Sequence, residues 1–90
     1  MERATISAHQ IRIFRFVEER GEWLSNREIA AGIAMSERTV RAHTKSFVDE
    51  GIFEQREVYP GYRYRFNSQA GKRNKAYLQR LEQADEVFSL

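Results

Sequence analysis

The sequence predicts an α+β fold: a three-helix core, a two-stranded β-hairpin and one further helix at the C-terminus. Three observations lead there. Ser25-Asn26-Arg27-Glu28 and Ser36-Glu37-Arg38-Thr39 each have the chemistry of a helix start, roughly eleven residues apart. A Ser at an N-cap accepts a bond from an orphan backbone N–H, and Glu28 three residues on completes a capping box. Tyr62, Tyr64 and Phe66 alternate with Arg63 and Arg65, the period of a half-buried strand. Ala70, Asn74, Tyr77, Leu81, Ala84 and Phe88 recur at steps of four and three, a heptad-like helical seam.

In chain order, the first helix should run from about Ala8 to Arg20. Ser7 with Gln10 makes a capping box, and Gly21 is a natural residue to follow the last turn. Ile11, Phe14 and Val17 should face the core; Ile13 and Phe16 widen the stripe towards a second contact surface. Trp23-Leu24 suits a minimal strand pairing with the later hairpin. The second helix spans about Asn26 to Gly32, with Ile29 and Ala30 inward and Gly32 in the connection. So short a spacing leaves room only for a tight turn. The third helix spans about Glu37 to Glu50, with Val40, Thr44, Phe47 and Val48 on one face, and Gly51 ends it. Two strands follow, Ile52 to Tyr59 and Tyr62 to Asn67. Pro60-Gly61 suits the central pair of a type II turn, which is not the favoured two-residue hairpin link, so a longer loop is expected. The last helix covers about Gln69 to Phe88.

Ninety residues suggest one domain, which divides into residues 1–67 and a C-terminal helix, 68–90, as a dimerisation element. No apolar run approaches the roughly 20 residues of a membrane span, and Met1-Glu2-Arg3-Ala4-Thr5 lacks the apolar core of a secretion signal. The absence of cysteine excludes disulfides and thiolate metal sites and fits a reducing cytoplasm. The net charge is only +2, but its distribution is uneven. Arg38, Arg41 and Lys45 gather on the third helix and Lys72, Arg73, Lys75 and Arg80 after the hairpin, while acids collect at Glu18, Glu19 and Glu22 or Glu82, Asp85 and Glu86. A local basic face on a nearly neutral protein can bind a polyanion. His9 and His43 fall on different helices, and no metal-ligand spacing, phosphate-binding glycine loop or nucleophile motif is present, so neither an enzyme nor a cofactor is expected.

The strings Leu24-Ser25-Asn26-Arg27-Glu28-Ile29-Ala30, Met35-Ser36-Glu37-Arg38-Thr39-Val40-Arg41, and Gly51-Ile52 followed by Tyr64-Arg65-Phe66 carry a family resemblance. Over roughly Ser7 to Asn67 the chain resembles a winged helix-turn-helix domain of the kind found in bacterial MarR, GntR and ArsR transcription regulators. One departure is Thr44, where such families usually place an apolar residue; back-bonding of its hydroxyl should soften the helix locally. The resemblance implies a recognition helix, about 37–50, in the major groove of double-stranded DNA. Ser36 would bind phosphate from the helix N-terminus, Arg38, Thr39 and Arg41 would reach bases or flanking phosphates, Ala42 would meet a thymine methyl, and His43 and Lys45 would lie near the backbone. The wing, about 52–67, would set Arg63, with Arg56 across from it, on the adjacent backbone or minor groove. Bland readings stand beside these. Ser36 and Thr39 can simply cap the helix, and Arg41 can pair with Glu37.

The function so implied is that of a small cytoplasmic transcription regulator, a repressor rather than an activator, acting as a homodimer through Tyr77, Leu81, Ala84 and Phe88. The alternative for that seam is packing on the first helix of the same chain. Other readings of the whole are a winged-helix protein-interaction module and a plasmid or phage replication or partition factor. Neither a membrane nor a small-molecule ligand is indicated.

Overall fold

In the computed structural model, which describes residues 6–88, the chain runs α1 (Ala8–Arg20), α2 (Asn26–Ile33), α3 (Glu37–Asp49), β1 (Phe53–Val58), β2 (Gly61–Phe66), α4 (Ala70–Arg73) and α5 (Lys75–Phe88). Met1 to Thr5, where a secretion signal would begin, lie outside the described residues. The α+β class and the winged helix-turn-helix order are those expected.

The helix starts are capped as the sequence requires. Ser7 and Gln10 form a reciprocal box: the Ser7 amide donates to Gln10 Oε1 at 2.7 Å and the Gln10 amide to Ser7 Oγ at 3.2 Å. Ser25 and Glu28 do the same at α2, at 2.9 and 3.0 Å. Gly21 ends α1 in the left-handed conformation, φ 61, a backbone state that costs glycine little. Ile11, Ile13, Phe14 and Val17 are all buried on α1, a wider arc than one stripe. The reason is that α1 is the central helix, packed against α2, α3, β2 and α5. The second contact surface expected at Ile13 is therefore internal.

Gly32 is not the turn residue. It lies inside α2, and Ala34 takes the left-handed conformation that ends the helix, with φ 54. What Gly32 provides is close approach, since a Cβ there would sit 2.3 Å from Cζ of Phe16. The Arg12 guanidinium closes the end of α2 by donating to the Ile33 carbonyl.

The wing is an antiparallel pair in the register Phe53↔Phe66, Arg56↔Arg63, Val58↔Gly61. Its link is the two-residue Tyr59-Pro60, joined by a cis peptide, rather than a longer loop around Pro60-Gly61. Leu24 adds the expected minimal third strand. Its amide donates to the Tyr64 carbonyl at 2.8 Å, and its carbonyl accepts from the Tyr64 amide at 2.7 Å. This bridge fastens the wing to the chain entering α2.

The C-terminal helix is interrupted. Asn74 leaves helical geometry, with φ −153 and ψ 69. Its side-chain amide donates to the Glu50 carbonyl at 3.2 Å and to the Glu50 carboxylate at 2.8 Å, while its Oδ1 accepts from the Tyr77 amide. A side chain that bonds the end of α3 and caps α5 cannot continue one straight helix. The seam after it then turns inward. Leu81 is 0% exposed and belongs to the core, with Tyr77 and Ala84 packed against it; only Phe88, 52% exposed, is open. Arg15 of α1 pairs with Asp85 at 3.2 Å, and Tyr77 meets Phe47 edge-on at 6.4 Å between ring centroids. For the 68–90 helix, expected as a dimerisation element with packing on the first helix of the same chain as the alternative, the seam takes the alternative at Leu81. An apolar seam this long must bury against something, and α1 is the surface it meets.

Candidate nucleic-acid interface

The third helix is built to be held on one side and open on the other. Val40, Thr44 and Phe47 are buried, and Phe47 stacks on Phe53 with centroids 4.7 Å apart. Arg38, Arg41, Ala42 and Lys45 fall at i, i+3, i+4 and i+7, and all four are exposed. Thr39 and His43 flank this stripe, half-buried. Burial holds the His43 pKa below its ordinary value, with His9 a secondary cause, which favours the neutral imidazole.

Ser36 caps the helix. Its Oγ accepts from the Thr39 amide at 3.1 Å and its hydroxyl donates to Thr39 Oγ1 at 2.8 Å. Both side chains are thus committed to the helix start, although Ser36 is exposed. Arg41 makes the foreseen i, i+4 pair, Nη2 to Glu37 Oε1 at 3.1 Å.

Thr44 does more than bond back to its own helix. The hydroxyl donates to Asn26 Oδ1 at 2.7 Å, with the Arg41 carbonyl at 3.2 Å as a second acceptor. Asn26 is the first residue of α2, so this bond fixes the α2–α3 crossing, and α3 runs unbroken through it. The softening expected at Thr44 is not seen. Replacing Thr44 with Val keeps the shape and removes the bond; we expect a stability loss of about 1 kcal/mol in urea unfolding. A variant as stable as wild type would show that the hydroxyl contributes nothing net.

On the wing, the register puts Arg56 directly opposite Arg63, as expected, on the same face as Glu54 and Arg65. Arg63 reaches across to α2, Nη1 to Glu28 Oε1 at 2.8 Å. Arg65 pairs with Glu54 at 3.0 Å. The guanidinium carbons of Arg56 and Arg65 lie 4.5 and 4.4 Å from the Trp23 ring centroid, so the indole braces both. Tyr59, at the tip, is 94% exposed.

Between the wing tip and the helix-turn-helix lies an open groove of about 720 Å³, lined by Arg27, Glu37, Arg41, Tyr59, Tyr62 and Arg63 among others. Arg41 and Arg63, singled out independently in the sequence, share this groove; Arg38, Ala42 and Lys45 share the exposed stripe of α3. Arg27 went unmarked because it sits inside a capping signature, and Trp23 because its role depends on the wing folding beside it. Among the described residues no three His, Cys, Asp or Glu side chains gather as a metal site, and no helix is long and apolar enough to cross a membrane.

Similar folds occur among solved structures. A MarR family protein from Bacillus stearothermophilus superposes with a TM-score of 0.60 at 10% identity, covering 90% of this chain and 57% of that one. Lactococcus lactis ZitR, a zinc-responsive MarR family member, gives 0.58 at 12%, covering 98% and 62%. The zinc-dependent MarR family transcriptional regulator AdcR, in its Zn(II)-bound state, gives 0.54 at 20%, covering 99% and 62%. The chain thus spans 57–62% of the length of these structures. No curated protein matches the sequence. A family model described as winged helix-turn-helix DNA-binding matches residues 6–54.

Proposed function

The chain belongs to the winged helix-turn-helix DNA-binding family, and from that premise we propose that it reads double-stranded DNA as a small transcription regulator, with α3 in the major groove and the wing on the adjacent backbone or minor groove. The observation that carries this reading is the shared groove, where Arg41 of α3, Arg27 of α2 and Arg63 of the wing open on one side. A duplex laid across that opening meets guanidinium groups from three elements. Arg38 and Arg41 suit guanine, whose O6/N7 edge matches their fork. Ala42 suits a thymine methyl, and Ser36, Thr39, His43 and Lys45 lie where backbone passes. Arg56 and Arg63 form the wing contact.

Repression is the simpler mode, since occupying the operator needs DNA binding alone, and its place of action is the cytoplasm. Homodimerisation belongs to the same reading. With Leu81 internal, the apolar surface available to a second copy is the end of α5, where Val87 and Phe88 are exposed beside a groove lined by Ile11, Phe16 and Ile33. Two joined half-sites multiply discrimination.

Selection of bound sequences from a random duplex library tests the function, and enrichment of a defined motif is the expected result. A palindromic motif supports the dimer, and no enrichment defeats the reading. We further expect Arg63→Ala to weaken binding about equally on all sequences and to lower the salt slope by about one, because a wing side chain near the tip meets phosphate. A loss confined to particular sequences would make Arg63 a base reader.

A further inference from the structure

We propose that Glu37 is a specificity determinant, holding Arg41 back from indiscriminate phosphate binding, while Glu28 restrains the phosphate contact of Arg63 on every sequence alike. This rests on the DNA-binding reading above. Glu37 lines the groove together with Arg41, its partner at 3.1 Å, whereas Glu28 does not line it but pairs at 2.8 Å with Arg63, which does. An arginine that takes a phosphate there must give up a carboxylate or hold two anions close together. Either way the gain is small, because one surface charge pair replaces another. A guanine edge is neutral and carries no such conflict. Arg41 commits only Nη2 to Glu37, so the rest of its fork can turn to O6 and N7 while the pair persists. The carboxylate therefore subtracts from backbone binding and leaves base reading largely intact.

Glu28 cannot easily step aside. One oxygen, Oε1, receives both the Ser25 amide, at 2.9 Å, and Arg63 Nη1, at 2.8 Å. The Ser25 amide, with lesser help from the Ser25 side chain and Arg63, keeps the carboxyl pKa below its usual range, which favours the charged form. To swing away from Arg63 it would have to break the cap of α2. It is a fixed negative charge beside an arginine of the groove.

The test compares Glu28→Gln, Glu37→Gln and the double variant with wild type. Gln is a capping-box residue in its own right, so the first change removes charge and keeps the cap; Glu37 is not part of a box. Fluorescence anisotropy would measure binding to the duplex recovered by selection and to a random duplex of equal length, over a range of salt. Each variant should bind random duplex about two- to fivefold more tightly, the range expected for an exposed ion pair. In Glu37→Gln, binding to the selected duplex should strengthen less, so the specificity ratio falls; Glu28→Gln, which frees a phosphate contact, should strengthen both duplexes alike, so the double variant keeps the lowered ratio of Glu37→Gln. Equal strengthening of both duplexes by Glu37→Gln, or no change or weaker binding to random duplex in either single variant, would overturn the inference. Circular dichroism checks that each variant is folded. If wild type binds no duplex, the DNA-binding reading itself fails. If wild type selects a site and Glu37→Gln keeps its ratio, only this inference fails.

Discussion

Leu81→Asp should unfold the domain, not merely separate two copies of it. Leu81 is fully buried and joins a core that includes Ile11, Phe14, Phe47 and Phe53. Truncating such a leucine costs about 2–5 kcal/mol, from lost burial and from the space left behind. An aspartate adds the cost of a carboxyl in an apolar site, which it must meet by taking a proton or dragging in water. Together these should exceed about 5 kcal/mol, against a total stability of roughly 5–13 kcal/mol for a domain this size. Circular dichroism should show a large loss of helix at 25 °C or a melting point far below wild type. Leu81→Met, which keeps volume, should cost under about 1.5 kcal/mol. A Leu81→Asp chain that stays helical and cooperative, and only becomes monomeric in the ultracentrifuge, would show that α5 does not pack on its own domain.

That result separates what the sequence could show from what it could not. Local chemistry was legible: both capping boxes, the left-handed Gly21 and the alternation of β2 each depend on residues within a few positions. The exposed face of α3 was legible too, because helical period alone puts Arg38, Arg41, Ala42 and Lys45 opposite Val40 and Phe47. The missing pieces are tertiary choices between surfaces of equal apolarity. The α5 seam suits α1 or a second copy equally well, and only the geometry of Asn74, anchored to Glu50, turns it onto α1. Gly32 read as a turn because its real constraint, the Phe16 ring, lies on another helix. Glu28 read as a cap because its second partner is 35 residues away. Thr44 read as a weak point because its hydroxyl partner, Asn26, is on the neighbouring helix.

Replacing Arg38 and Arg41 together with Ala should remove most of the sequence preference. A well-placed arginine on a base edge discriminates by about 1–3 kcal/mol, so losing two should weaken binding to the selected duplex roughly a hundredfold or more. Both side chains are exposed, and the double change breaks the exposed Glu37–Arg41 pair, so stability should change by no more than about 0.5 kcal/mol. Random duplex should suffer far less, because the wing arginines and Lys45 still face the backbone. Arg41→Lys sharpens the test, since lysine keeps the charge and lacks the fork. If Arg41 reads guanine, lysine should recover binding to random duplex and fail to restore preference at the base pair concerned. If lysine restores both, Arg41 acts as a charge on phosphate. A double-alanine variant that still enriches the wild-type motif would move base reading away from this face of α3 altogether.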